Sequence, residues 1–170
     1  MINDILIKRR PEILEKWFNA LSGTYSPQTD KFLRRETDPF ANPVGASYRR
    51  CLSIILDELT GEMDPDNIQT ALDDIIKIRA VQDLCPSAAL SFMFILKQVL
   101  TEIFTDNSKT CINNDEWFSM TSKIDDITLR GFDIYMGCRE KIYSLKAEEF
   151  KRTAYRFLEK ARSDNSEESV

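Results

Sequence analysis

The longest stretch of this sequence without a helix-breaking signal constrains the fold most. From Asp115 to Ala161 the chain has no proline and no turn cluster, and its only glycines are Gly131 and Gly137. As a single helix rising 1.5 Å per residue, this stretch would be about 70 Å long. That length exceeds the diameter of a compact 170-residue domain. We therefore predict a long C-terminal helix whose end needs a partner to cover it.

Shorter upstream segments repeat the helical period. Apolar residues recur at three- and four-residue intervals over residues 11–22, 44–59, 66–84 and 87–104. With only 5 Gly and 6 Pro in the chain, a turn-rich all-β fold is disfavoured. Residues 24–45 are the least regular part, where prolines and a glycine interrupt all but a short helical turn at residues 31–35. We predict an all-α fold, with one helical domain over residues 1–162 and a disordered, Ser- and Glu-rich tail over residues 163–170.

The sequence contains no histidine, and this absence removes several classes of chemistry. The chain cannot hold haem through a proximal His, build a Ser-His-Asp or Cys-His pair, or form the usual His-containing zinc site. The glycines form neither a G-x-G-x-x-G motif nor a P-loop. Adjacent acids such as Asp73 and Asp74 diverge by about 100° on a helix, so they cannot converge on one metal ion. We predict no cofactor, no metal site and no enzymatic activity.

Charge and cysteine usage favour a cytoplasmic location. The formal net charge of −5 disfavours nucleic-acid binding, which rests on clustered Lys and Arg. Charged residues within the first ten positions exclude a secretory signal there. The longest near-continuous apolar run, residues 88–96, is shorter than the ~20 residues that span a bilayer, so we predict no membrane insertion. The four cysteines include no C-x-x-C pair, which is typical of free thiols in a reducing compartment.

One arginine falls within the apolar face of a predicted helix. Over residues 66–84, Arg79 and Asp83 lie in the middle of that face, four residues apart, so the two side chains could pair. A buried arginine is costly unless its guanidinium is satisfied. Two interpretations stay open. Arg79 and Asp83 form an internal ion pair that fixes helix packing, or Arg79 lies in a pocket and binds the carboxylate of an amphiphile such as a fatty acid.

Two features of the long predicted helix point to packing against another helix. Gly131 and Gly137 each cost about 1 kcal/mol relative to Ala, which is usually offset by the close approach of another helix; a pocket wall is the alternative. Further along, apolar residues continue with the 4/3 spacing of helix–helix packing. These residues, which we predict to form a dimer seam, are Phe150, Ala154, Phe157 and Leu158.

Three strings of the sequence together resemble one protein family. They are KFLRRETDPFANPVG at 31–45, ALDDIIKIRAVQDLCPSAALSFMFILK at 71–97 and FDIYMGCREKIYSLKAEEFKR at 132–152. In this order they are similar to the RsbRD N-terminal domain family, the sensor modules of RsbT co-antagonist proteins in bacterial stress signalling. The resemblance covers about residues 3–160. It implies a globin-like helical fold without haem, a homodimer, and a last helix that continues as a linker to a STAS domain.

The sequence departs from the family pattern in one respect. It ends at Val170, where a STAS domain would follow the linker, so binding of an RsbT-like kinase through STAS is not implied. The family offers no established catalytic residues to transfer. We expect a stand-alone, non-haem sensor or regulatory module that contacts an unidentified signalling protein. The alternative is an all-helical accessory protein, such as an assembly chaperone for a redox enzyme.

The absence of histidine gives a first testable prediction. Protein purified after expression with added haem should show no Soret absorption band, because the chain has no imidazole to ligate the iron. Absorption spectroscopy checks this result. A stoichiometric haem spectrum would contradict it and would indicate Cys or Tyr ligation.

Overall fold

In a computed structural model, residues 2–106 and 113–167 are described, and they contain seven α-helices and no strand. The helices are α1 (Ile2–Lys8), α2 (Arg10–Ser22), α3 (Pro27–Arg35), α4 (Pro43–Thr60), α5 (Pro65–Val81), α6 (Pro86–Asp106) and α7 (Asn114–Glu167). The predicted all-α class with a long C-terminal helix is confirmed. The chain divides into two compact units, residues 1–135 and 136–170, and each is described by itself.

The predicted domain bounds stay a prediction. Helix α7 ends at Glu167, within the range 163–170 for which the sequence predicts a disordered tail. The last three residues of that range lie outside the described residues. The globin-like arrangement of the helices likewise stays a prediction.

Proline marks where helices begin in this fold. It is the first residue of four helices: Pro27 of α3, Pro43 of α4, Pro65 of α5 and Pro86 of α6. Proline is well suited to this position because the first N–H groups of a helix have no intrahelical acceptor. Within residues 24–45 the sequence indicates only a short helical turn at residues 31–35, and that turn belongs to the longer α3, which begins at Pro27. The side chain of Ser26 caps this helix by accepting from the Thr29 N–H at 3.4 Å.

The core of the first unit lies between α2, α4, α5 and α6. Helix α4 packs along α5, and α2 packs against both α6 and α4. Trp17 of α2 is fully buried, and its indole Nε1 donates to the Phe92 carbonyl of α6 at 2.7 Å. On α6, Phe92 and Met93 are fully buried, whereas Phe94 is exposed. Helix α6 is thus a core helix with one face at the surface.

Judged by length and composition alone, helix α6 is long and apolar enough to span a membrane. Residues 86–105 have a mean hydropathy of 1.4, so the nine-residue run 88–96 underestimates the apolar length. Half of this window is buried inside the fold. Such burial is expected of a core helix, which satisfies the same length and composition criteria.

Gly131 allows α7 to approach two other helices within the first unit. A Cβ at this position would lie 3.0 Å from Leu90 Cδ2 of α6 and 3.1 Å from Ile76 Cδ1 of α5. The tight helix crossing predicted at Gly131 is confirmed. At Gly137, a Cβ would meet no described atom within 4 Å.

Asn42 holds the connection between α3 and α4. Its side chain is buried, and its Nδ2 donates to the carbonyls of Leu33 at 3.2 Å and Glu36 at 2.9 Å. Its Oδ1 accepts from the Gly45 N–H at 2.8 Å and so caps α4. A Cβ on Gly45 would overlap the Asn42 amide. One side chain therefore satisfies the end of α3 and the start of α4 together.

This arrangement generates a prediction for stability. Asn42→Ala should lower the free energy of unfolding by about 2–4 kcal/mol, because it removes the cap of α4 and the amide donor shared by the Leu33 and Glu36 carbonyls. Urea denaturation followed by circular dichroism measures the change. The control is Asn67→Ala, since Asn67 is exposed and its amide donates to the exposed Glu58 carboxylate; its effect should stay within about 0.5 kcal/mol. Equal losses in the two variants would contradict the role of Asn42.

Candidate functional site

Arg79 ties α5 to the first turn of α6. Its side chain is only 1% exposed, as predicted from its place on the apolar face. The guanidinium donates through Nε to the Ala89 carbonyl at 2.8 Å and through Nη2 to the Ala88 carbonyl at 2.6 Å. These bonds bridge the Cys85-Pro86 break between the helices. A buried cation is thus satisfied by carbonyl dipoles, which makes it a structural cross-link.

A tyrosine network continues from Arg79. The Arg79 Nη1 donates to the Tyr25 hydroxyl at 3.2 Å, and this hydroxyl donates to Gln82 Oε1 at 2.8 Å. Tyr48 is fully buried and also bonds to the Tyr25 hydroxyl. Because Tyr25 has one proton, given to Gln82, Tyr48 must be the donor in that pair. Burial is the main cause that raises the pKa of Tyr48 well above its ordinary value, and the hydrogen bond to Tyr25 raises it further. Tyr48 therefore stays protonated at neutral pH.

Asp83 lies apart from the interior position predicted for it. Helix α5 ends at Val81, and Asp83 follows in the left-handed conformation, with a φ of 59° and an exposed side chain. This conformation is typical of the residue just beyond a helix end. The hydrogen bonds of Arg79 described above go to neutral oxygens. The Arg79–Asp83 ion pair stays a prediction. Because Asp83 lies beyond the end of α5, the two side chains are not one helical turn apart on the same face.

The second unit consists of the later part of α7 and presents an apolar stripe. Four large residues spaced seven apart are exposed: Met136 (39%), Tyr143 (56%), Phe150 (76%) and Phe157 (70%). Residues at this spacing share one face of a helix. We call these four residues the heptad stripe. Of the predicted seam residues, Phe150 and Phe157 belong to this stripe, Ala154 lies beside it and is half-buried, and Leu158 is exposed.

Small and basic residues border the heptad stripe. Ala147 and Ala154 follow Tyr143 and Phe150 by four residues, so they lie on the same side of the helix. In a coiled coil with the stripe residues at one core position, the flanking positions lie one and three residues after each stripe residue. From residue 137 to residue 160, none of these flanking positions is acidic. The charged residues at these flanking positions are Arg139, Lys146, Lys151 and Lys160.

A comparison with known families decides the relationship. The sequence model of the family described as "RsbT co-antagonist protein rsbRD N-terminal domain" matches residues 11–150. This chain belongs to the RsbRD N-terminal domain family. No curated protein and no solved structure matches the chain.

The family match includes Arg79 but only part of the heptad stripe. The matched residues include α2 from its second residue onward, all of α3 to α6, and Met136, Tyr143 and Phe150. The RsbRD N-terminal match ends at residue 150, before Ala154, Phe157 and Leu158. The fold and its buried arginine are therefore part of the family region, whereas the distal seam residues lie beyond it.

The described residues hold no group of three or more His, Cys, Asp or Glu placed to bind a metal ion. In the same ranges the cysteines are free: Cys51 is buried, Cys85 is exposed and Cys138 is half-buried. Cys111 lies outside the described residues. Hydrogen bonds from Ser87 and the Ala88 backbone lower the pKa of the Cys85 thiol. The chemistry that the structure places inside this RsbRD N-terminal domain is thus arginine and tyrosine hydrogen bonding.

Sequence reasoning missed several residues that the structure brings into play. Tyr25 and Tyr48 reach Arg79 from a loop and from α4, across sequence separations that a helical pattern does not reveal. Met136 and Tyr143 were missed as members of the heptad stripe, although their seven-residue spacing from Phe150 is visible in the sequence.

The Arg79 cross-link can be tested by substitution. Arg79→Met should lower the free energy of unfolding by about 2–4 kcal/mol, since it removes three hydrogen bonds to a charged group and leaves their acceptors behind. Chemical denaturation measures this loss. Lys77→Met serves as the control because Lys77 is exposed and pairs with Asp73 at 3.4 Å on the helix surface; its effect should be within about 0.5 kcal/mol. A loss of the same small size for Arg79→Met would exclude a structural role.

Proposed function

We propose that this RsbRD N-terminal domain is a cytoplasmic, non-haem signalling module that acts through protein–protein contact. Membership of a family of signalling domains supports this function. The chain also has no histidine with which to ligate haem iron. The observation that carries the proposal is the heptad stripe on α7, because large aromatic side chains at this spacing are normally covered by another helix.

A second copy of the chain is the partner that we propose for this stripe. From Tyr143 to Phe157, large residues alternate with Ala147 and Ala154 along the same face, and Glu140 takes the equivalent position after Met136. In an antiparallel helix pair, the large positions of one helix face the small positions of the other. The stripe is therefore complementary to itself, with Phe150 and Phe157 filling the space that alanines leave. The predicted seam of Phe150, Ala154, Phe157 and Leu158 is part of this surface.

The basic residues that flank the stripe make the dimer sensitive to salt. In a self-pair, Arg139, Lys146, Lys151 and Lys160 meet other basic residues or neutral ones. Like charges repel at low ionic strength, and salt screens this repulsion. A homodimer should therefore strengthen as salt rises. Binding of an acidic partner helix by the same stripe should weaken instead.

The proposed module also has a candidate ligand class, an amphiphile such as a fatty acid. The Tyr25 hydroxyl now accepts a hydrogen bond from Arg79 Nη1, and the Tyr25 side chain is half-buried. The carboxylate of the fatty acid would replace this hydroxyl as the acceptor. The carbonyls of Ala88 and Ala89 would keep the other two bonds. A fatty acid bound in this way should raise the melting temperature of the wild type and not that of Arg79→Met.

The dimer proposal predicts the effect of one charge on the stripe. Phe157→Glu should weaken self-association at least about tenfold, because it places a carboxylate in a helix–helix contact. Tyr155→Glu is a matched control. Tyr155 is an aromatic residue with the same 70% exposure as Phe157, but it lies about 160° around the helix from it. Sedimentation velocity of each protein at low and high salt measures the dissociation constants.

Three results would contradict this proposal. A wild-type chain that stays monomeric at about 100 μM has no such dimer. Equal weakening by the two substitutions would remove the stripe as the interface. A dimer that dissociates at high salt would indicate an electrostatic interface elsewhere on the chain.

A further inference from the structure

A cleft lies between α2, α3 and α4, away from Arg79. Its volume is about 330 Å³, within the range of sites that hold small ligands. Apolar side chains form part of its wall, and two arginines and one glutamate provide its charges. The lining residues are Leu14, Glu15, Phe18, Asn19, Arg34, Arg49 and Leu52.

Arg49 is the unusual member of this cleft. Its guanidinium carbon lies 4.0 Å from the centre of the Phe18 ring, and its Nη2 donates to the Leu33 carbonyl at 3.0 Å. Of the ion pairs within residues 2–106 and 113–160, none includes Arg49. Partial burial lowers the pKa of Arg49. A cation that is partly removed from water without a carboxylate is stabilised when an anion binds.

Arg34 is held beside this cleft by the end of α2. Its Nε bonds to Asp30 at 2.6 Å and to Ser22 Oγ at 3.1 Å, and its Nη2 donates to the Asn19 carbonyl at 2.9 Å. The Nη1 amino group has no acceptor among the described residues. The hydrogen bonds thus fix the guanidinium in place while leaving donors for a further acceptor.

The lining of the cleft sets the charge and polarity of what would fit. Arg34 already pairs with Asp30. Arg49 is therefore the lining cation that no carboxylate pairs with among the described residues, and one negative charge on a ligand would match it. Leu14, Phe18 and Leu52 supply an apolar wall that favours a hydrocarbon group. A cation would meet like charge, and an uncharged hydrocarbon would leave Arg49 without an anion.

We propose that the cleft between α2, α3 and α4 binds a small organic anion with one negative charge and an apolar group, and that Arg49 is its main polar contact. The asparagine that joins α3 to α4 indirectly organises this site, because Asn42 and Arg49 donate to the same Leu33 carbonyl. The site is independent of the proposed dimer, since no residue of the cleft belongs to α7.

The test compares matched small molecules on the full chain. Sodium hexanoate, hexylammonium and hexanol share one alkyl chain and differ in charge. In ¹⁵N-resolved NMR titrations of the wild type, hexanoate should bind with a dissociation constant below about 5 mM. It should shift the amide signals of residues 14–19 and 49–52 most. Hexylammonium and hexanol should bind at least about tenfold more weakly.

Two substitutions locate the contact. Arg49→Gln removes the charge and keeps a donor for the Leu33 carbonyl, and it should weaken hexanoate binding at least about tenfold. Arg50→Gln is the control, because Arg50 is the next residue of α4 and pairs with Asp74 at 2.6 Å; binding should be unchanged.

The wild-type titrations test the proposal even if Arg49→Gln does not fold. Equal affinity for hexanoate and hexanol would overturn the proposal, as would hexanoate binding that Arg49→Gln leaves intact. Largest shifts at Tyr25 and Ala89 would place the anion at Arg79 and overturn the cleft as its site. None of these outcomes bears on the oligomeric state, so failure here is distinguishable from failure of the proposed dimer.

Discussion

The first unit of this fold depends on the buried Arg79 guanidinium. Helices α5 and α6 meet at a proline break, where backbone carbonyls of the new helix face the end of the old one. The Arg79 bonds to Ala88 and Ala89 close this junction, and Tyr25 extends the same contact to α4 through Tyr48. Four segments that could otherwise pack independently therefore share one hydrogen-bonded centre. The planar guanidinium holds its donors in fixed directions, so it fixes the positions of the carbonyl acceptors on α6 relative to α5.

The sequence predicted the helices well and their contacts poorly. Hydrophobic periodicity is a local property, so it located α2, α4, α5, α6 and α7. It also placed Arg79 in the interior. It anticipated the helix starts at Pro11 and Pro65 but not the one at Pro27, and it continued α5 past Val81 to Leu84. The break there is set by the following Cys85-Pro86, which favours extended backbone just before α6.

The residues of the candidate sites also differ in whether they lie on one helix or on several. Arg34 and Arg49 lie 15 positions apart in the sequence, and only the turn fixed by Asn42 brings α3 and α4 together around a common cleft. No periodicity within one helix reveals such a pair. The heptad stripe is different, because all of its members lie on one helix. Its seven-residue spacing could have been read in full from the sequence.

The heptad stripe has a mechanical consequence. A straight α-helix has 3.6 residues per turn, so residues spaced by seven drift about 20° around it at each repeat. From Met136 to Phe157 the stripe spans three repeats and turns by about 60°. A helix that stays in contact along the whole stripe must wind around α7 with a left-handed supercoil. Torsion applied near Met136 in such a pair is transmitted as rotation at Phe157, so the pair can carry a change in twist along its length.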